Sequence, residues 1–338
     1  MAKPRSFTSA LDDATEHHDS LSILLGNGFS RAFSDEFGYG TLRSVARMPD
    51  LTVSKDQLFE QAGTDDFETV MKHLQRSAYL VELYQPDNIG LCRALRDDAE
   101  AVKDGLVEAL IAIHPRAAWN IEAEKYQAAR QFLAPFKRIF TINYDLLVYW
   151  TVLQRHLSPH GVVVKDGFGR TGPGSLTWSR PRRADEQQIF YLHGAMHLYV
   201  QDHQVRKIAV PKGQMVAQLR SNLADDKYPL VVTEGSSPDK ELRIRRSAYL
   251  TYCHKRLARS AGALFIHGMA MSDNDEHILD AITRSRIDAL YIGLHGCPSV
   301  TCDTIRSKAR QLARARRDKG GRKLRVEFYD TATASVWG

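Results

Sequence analysis

The sequence has no run of about 18 consecutive apolar residues, the length a membrane-crossing helix needs. Its N-terminus, Met1-Ala2-Lys3-Pro4-Arg5-Ser6, leads into the polar stretch Asp12 to Asp19 and shows no apolar signal core. A soluble, cytoplasmic protein without membrane contact is therefore expected. Cysteine is scarce: of Cys92, Cys253, Cys297 and Cys302, only the last two are close in sequence. A structural zinc site needs two Cys pairs or Cys/His pairs, so a zinc ribbon is not expected and all four are read as buried or inert thiols. Glycine (22) and proline (12) are too few for a collagenous or low-complexity chain, and 43% hydrophobic with 25% charged residues is ordinary for a globular protein. A chain of 338 residues buries roughly three-quarters of its unfolded surface, enough for one large core or two modest ones.

Charge is present but unevenly placed. The net +6 comes from a window, Arg306 to Arg325, that holds ten Lys/Arg and one acid, Asp318. The rest of the chain, 36 basic against 39 acidic, is slightly negative. A basic C-terminal helix over residues 304–322 is expected, with Ile305, Ala309, Leu312, Ala313 and Ala315 as a thin apolar stripe. Its cationic face is either solvated or a surface for nucleic acid or an acidic partner. No aromatic residue interleaves the arginines, which weakens a single-strand stacking role. The charge is expected to say little about a ligand site elsewhere.

Short apolar runs that end in polar or glycine-containing loops read as buried parallel strands. They are Leu21–Leu25, Arg138–Ile142, Ile189–Leu192, Leu230–Val232, Leu264–Ile266, Leu290–Ile292 and Leu324–Phe328. Helical stretches lie between them, at Phe67–Tyr84, Ile89–Ala112, Trp119–Ala134, Asp145–His156, Lys240–Ser260 and His277–Arg286. The alternation predicts an α/β fold, a Rossmann-like doubly wound and mostly parallel sheet in one domain spanning residues 1–338. Between Phe33 and Lys137 no strand is visible, so a helical insertion at 44–135 follows the first strand. Residues Gly167 to Gln188 read as a long polar Gly/Pro-rich loop.

Four strand ends carry candidate chemistry. Leu25 runs into Gly26-Asn27-Gly28-Phe29-Ser30-Arg31, where a strand, a glycine pair and a helix start suit a phosphate, or form a tight turn without ligand. Arg31 stands where the dinucleotide pattern G-x-G-x-x-G has its third glycine, which disfavours a hydride-transferring enzyme. The second end is Thr141-Ile142-Asn143-Tyr144-Asp145; Asp145 either serves the ligand or caps the next helix, whereas Asn143 has no capping role to explain it. The third, Leu192-His193-Gly194, places a histidine at a strand terminus, suited to acid–base work or buried against backbone. His193 and His197 share a metal-pair spacing but lack the glutamate of H-E-x-x-H, so no metal is expected. The fourth, Gly268 through Ser272 to His277, suits ribose hydroxyls or helix capping equally.

Taken in order, Gly26-Asn27-Gly28-Phe29-Ser30, Phe67-Glu68, Thr141 to Asp145, Leu192-His193-Gly194 and Gly268 to His277 resemble the sirtuin-like (SIR2-like) NAD-consuming domains of bacteria. The resemblance covers about Leu21 to Asp330 and is greatest to a divergent branch found in anti-phage defence systems and in an uncharacterised bacterial family of similar length. It implies NAD as substrate. Gly26, Asn27, Gly28, Phe29 and Ser30 match the phosphate-and-ribose loop, Asn143 and Asp145 the nicotinamide pocket, His193 the catalytic histidine, and Gly268 and Ser272 a later ribose and phosphate loop. The paired cysteines of deacetylating sirtuins are missing, so the resemblance implies an NAD+ glycohydrolase rather than a protein deacetylase, with ADP-ribosyl transfer left open. It also implies a homo-oligomer and a regulatory partner such as an ATPase. Two other readings stand beside it: a sensor that binds NAD or ADP-ribose without turnover, and a nucleic-acid-associated protein acting through Arg306 to Arg325.

Overall fold

The fold is that of a computed structural model in which residues 3–157, 165–172, 175–183, 187–209, 214–224, 228–233 and 236–338 are described. Its centre is a six-stranded sheet of β1 (Leu21–Leu25), β2 (Arg138–Thr141), β3 (Ile189–Tyr191), β4 (Ala261–His267), β5 (Arg286–Leu294) and β6 (Arg325–Asp330). Every pairing is parallel, and the spatial order is β3-β2-β1-β4-β5-β6. That is the doubly wound order of a Rossmann-like sheet, with its switch point between β1 and β4. The chain reaches one edge at β3, returns to pair β4 beside β1, and winds outward to the other edge. All five residues of β1 are buried, which is why its run Leu21-Ser22-Ile23-Leu24-Leu25 is apolar on both faces apart from Ser22.

Between β1 and β2 the chain forms only helices, the longest being Phe67–Tyr84 and Ile89–Ile113, which pack along each other. Asp66 caps the first by accepting from the Glu68 N–H (3.1 Å), and that cap fixes the first turn from which Glu68 reaches inward. The stretch expected as one helix over Lys240–Ser260 is two, Ser237–Arg245 and Ala248–Ala258, divided where the Ser247 hydroxyl caps the second.

Two further sheets depart from the sequence reading. The expected loop from Gly167 to Gln188 contains a hairpin, Phe168–Gly172 with Ser175–Trp178, which joins Gln204–Lys207 and Leu198–Gln201 in a four-stranded antiparallel sheet. Leu230–Val231 is a strand, but it pairs antiparallel with Gly194–Ala195 outside the main sheet. Polar composition concealed the hairpin because its strands are short and only partly covered. A further correction concerns cysteine: Cys297 and Cys302 are joined in a disulfide, while Cys92 and Cys253 are buried thiols. Among the described residues, no helix is long and apolar enough to cross a membrane.

Candidate functional site

Ligands of doubly wound sheets bind beyond the carboxyl ends of the strands at the switch point. Here β1 and β4 end side by side, with Leu25 in register with His267, and the loops that leave them touch backbone to backbone. The Gly26 N–H donates to the His267 carbonyl (2.9 Å) and the Gly28 N–H to that of Gly268 (2.8 Å). A Cβ on Gly28 would lie 2.4 Å from the Gly268 Cα, and Gly268 itself has φ +71°. This crossing of two loops leaves no room for a Cβ at 26 or 28. The helix that follows is only the four residues Gly28–Arg31.

A cavity of about 850 Å3 opens over this crossing. Asn27, Gly28, Asn143, Asp145, His193, Gly268 and Ser272 line it, so candidates from all four strand ends converge on one space. Phe29 does not join them: its ring is buried against Phe132 and Trp337, and the Trp337 indole N–H donates to the Phe29 carbonyl (2.9 Å).

Under the cavity, Ser30, Asn143 and Asp145 form one hydrogen-bonded unit. The Ser30 hydroxyl donates to Asp145 Oδ2 (2.5 Å) and accepts from Asn143 Nδ2 (3.0 Å). Asp145 Oδ1 also accepts the Leu147 N–H (2.8 Å), so the carboxylate caps the next turn and holds Ser30 at once. Burial raises the Asp145 pKa, against the lowering effect of these bonds.

His193 follows β3. Its carbonyl accepts from the Val232 N–H (2.9 Å), and Gly194 beyond it has φ +76° with no room for a Cβ against the Leu230 carbonyl. The Leu230–Val231 strand thus pins the histidine turn. Burial foremost, then the nearby Lys240 charge, holds the His193 pKa well below 6.5, so the ring is neutral at physiological pH and a weaker base than its sequence position suggests. His193 Nε2 meets His277 Nε2 at 2.8 Å and lies 3.9 Å from Asp275 Oδ1. His197 takes no part: it is buried and stacked on Tyr149.

A buried charge network adjoins these residues, and sequence reasoning missed its centre. Lys240 is fully buried, with Nζ 2.5 Å from Glu68 Oε2 and 3.1 Å from Asp275 Oδ1. Burial raises the Glu68 pKa to about 7 despite the opposing lysine. Glu68 Oε1 and the Val232 carbonyl both lie 2.7 Å from the Tyr144 hydroxyl, which has one proton to give. Nothing around Lys240 in the sequence marks it as buried, because its partners lie 172 and 35 residues away. Asp275 and His277 carried a weak signal as an acidic cluster followed by histidine.

The basic helix, Val300–Asp318, belongs to this region as well. Ser299, Thr301, Cys302 and Ile305 from its first turns line the cavity, and Lys308 pairs with Asp273 of the β4 loop. Arg316 is buried and donates to the carbonyls of Ile287 and Ser285, while Arg306 lies under Phe328 and beside Asp303. The helix residues that line the cavity are uncharged, so the positive charge of Arg306 to Arg325 lies outside its lining. Part of it is structural, and the helix N-terminus faces the cavity.

Among solved structures, one of Sir2Tm bound to a propionylated peptide aligns over 91% of this chain and 98% of that one, at 13% identity and TM-score 0.36. A Sir2 homologue mutant with 2′-O-acetyl ADP ribose covers 90% and 97%, at 14% identity and TM-score 0.35. Another, in complex with ADP ribose, covers 91% and 96%, at 13% identity and TM-score 0.33. The α/β assignment is carried by the sheet order and register, not by these overlaps. No curated protein matches the sequence. Residues 23–337 match the family described as a domain of unknown function (DUF4917), and the chain belongs to that family.

Proposed function

We propose that the protein is an NAD+ hydrolase that cleaves the nicotinamide–ribose bond, acting as a regulated NAD-depleting effector in bacterial anti-phage defence. The observation that carries this reading is the convergence of Asn143, Asp145 and His193, with Ser30 locked beneath them, on one cavity at the β1/β4 switch point. At about 850 Å3 the cavity is within the range of small-molecule sites and large enough for a dinucleotide. The N-terminus of Val300–Asp318 turns a positive dipole end toward the same space, which suits a pyrophosphate.

The chemistry asks little proton donation of the protein. Nicotinamide departs as a neutral molecule with the electron pair of the broken N-glycosidic bond, so the acid of a glycosidase carboxyl pair is not needed. The ribose C1′ becomes oxocarbenium-like, water forms the new C–O bond, and the water proton passes to a base. Asn143, oriented by Ser30, holds the nicotinamide amide or the water. His193 accepts the proton, with Asp275 at 3.9 Å to stabilise the resulting imidazolium. A neutral, weakly basic histidine suffices because the water is acidified as it bonds to a cationic carbon. Free activity would exhaust a cell's NAD, so control through self-assembly or a partner such as an ATPase belongs to the proposal.

The strongly lowered pKa of His193 also favours a second reading, a module that binds NAD or ADP-ribose without turnover. Incubating the full chain with NAD+ separates the two. Hydrolysis gives free nicotinamide, lost in Asn143→Ala with the fold retained; the sensor gives thermal stabilisation and no nicotinamide in any variant.

A further inference from the structure

We propose that His193, Asp275 and His277 form a binding site for one divalent transition-metal ion of the Zn2+ class. One donor atom from each lies within 4.8 Å of the other two. His193 Nε2 is 2.8 Å from His277 Nε2 and 3.9 Å from Asp275 Oδ1. An ion held at about 2.0–2.1 Å in tetrahedral geometry sets neighbouring donors about 3.3 Å apart. Two separations bracket that value and the third is within 4.8 Å, so side-chain shifts of about 0.5–1.5 Å seat the ion. Two imidazoles and a carboxylate with an open fourth position are the donor set of catalytic rather than structural zinc. The open position faces the cavity, because His193 and Asp275 line it.

Residues behind the donors hold them in place, as metal ligands require. The Ser237 hydroxyl contacts His277 Nδ1 (3.0 Å) and accepts the His277 backbone N–H (2.8 Å), which fixes that ring with Nε2 toward His193. Lys240 steadies Asp275 at 3.1 Å and makes its shorter contact with Glu68. Two partly buried carboxylates face that single ammonium, so the cluster carries one formal negative charge in excess, and a cation completes its neutralisation. The sequence directed attention to His193 with His197; the folded chain pairs His193 with His277 instead.

The site shares His193 and Asp275 with the NAD reading, and an ion on His193 Nε2 displaces that nitrogen as proton acceptor, so its test does not use turnover. The full chain is stripped with a chelator and titrated with Co2+, a spectroscopic substitute for Zn2+. One equivalent is expected to bind with the visible bands of a tetrahedral site and to be displaced by Zn2+. His277→Gln and Asp275→Asn, checked for folding by circular dichroism and melting, abolish those bands. Ser237→Ala, which leaves all three donors in place, weakens Co2+ binding by about tenfold or more. Absence of saturable Co2+ binding, or unchanged affinity in the folded variants, overturns the proposal.

Discussion

Gly268→Ala tests whether the glycines at the strand ends serve loop packing. Gly268 has φ +71°, and a Cβ there would stand 2.5 Å from the Gly28 Cα and 2.7 Å from its nitrogen. The left-handed conformation costs a residue with a Cβ about 1–2 kcal/mol. Overpacking adds about 1–3 kcal/mol, at the upper end here because both neighbours are backbone and neither can rotate aside. The loops can separate only by breaking the hydrogen bond from Gly28 to Gly268. The expected loss is therefore about 3–5 kcal/mol, measured without ligand by urea denaturation monitored through tryptophan fluorescence. Gly63→Ala is the control, with φ +67° but nothing within 4 Å, and should lose only the conformational part. If Gly268→Ala loses no more than Gly63→Ala, the loop-crossing explanation is wrong and the glycine is there for a ligand.

Other outcomes follow from the same contacts. Lys240→Met should cost up to about 3 kcal/mol by leaving the partly buried Glu68 and Asp275 unneutralised, and adding Glu68→Gln should restore part of it, as denaturation of both variants will show. His114 accepts the Leu146 N–H on Nε2 (2.9 Å), and burial lowers its pKa to about 3. The unfolded chain takes up that proton near pH 6.5 and the folded chain does not, so stability falls as pH drops from about 6.5 towards 3. His114→Gln should flatten the slope over that window by about 1.4 kcal/mol per pH unit, read from denaturation series at several pH values. On the basic helix, Arg316→Met should cost about 1–3 kcal/mol by orphaning two carbonyls, while exposed Arg314→Gln should stay within about 0.5 kcal/mol. If that face binds nucleic acid, Arg314→Gln and Arg317→Gln should reduce its salt-dependent affinity without altering stability, which a binding titration at two ionic strengths measures.

Strands buried on both sides write themselves into the sequence as apolar runs, which made β1 to β5 legible; the partly covered edge strand β6 was legible from Leu324 to Phe328. Their ends drew attention to Gly26 to Ser30, Asn143, Asp145, His193 and Gly268. Leu230–Val232 reads the same way as the others, because an apolar run records burial and not its partner; only the fold shows that it pairs with Gly194–Ala195. The Phe168–Trp178 hairpin was hidden by Gly and Arg content typical of loops. Lys240 illustrates the firmer limit. Within Ser237-Pro238-Asp239-Lys240-Glu241 it reads as a solvated first turn, and its burial depends on Glu68 and Asp275 arriving from distant elements. Arg316 was equally opaque among exposed arginines. The partner of His193 was missed because sequence spacing favoured His197, four residues away, over His277 across the cavity wall.

The central claim is hydrolysis at the cavity between β1 and β4. Its most direct test is to incubate the full chain with NAD+ and measure nicotinamide and ADP-ribose together over time, alone and with candidate activators. The account predicts the two products in equal amounts from the wild type and neither from a folded His193→Ala variant. Equal product formation by wild type and His193→Ala would contradict it, as would tight NAD+ binding with no product under any condition.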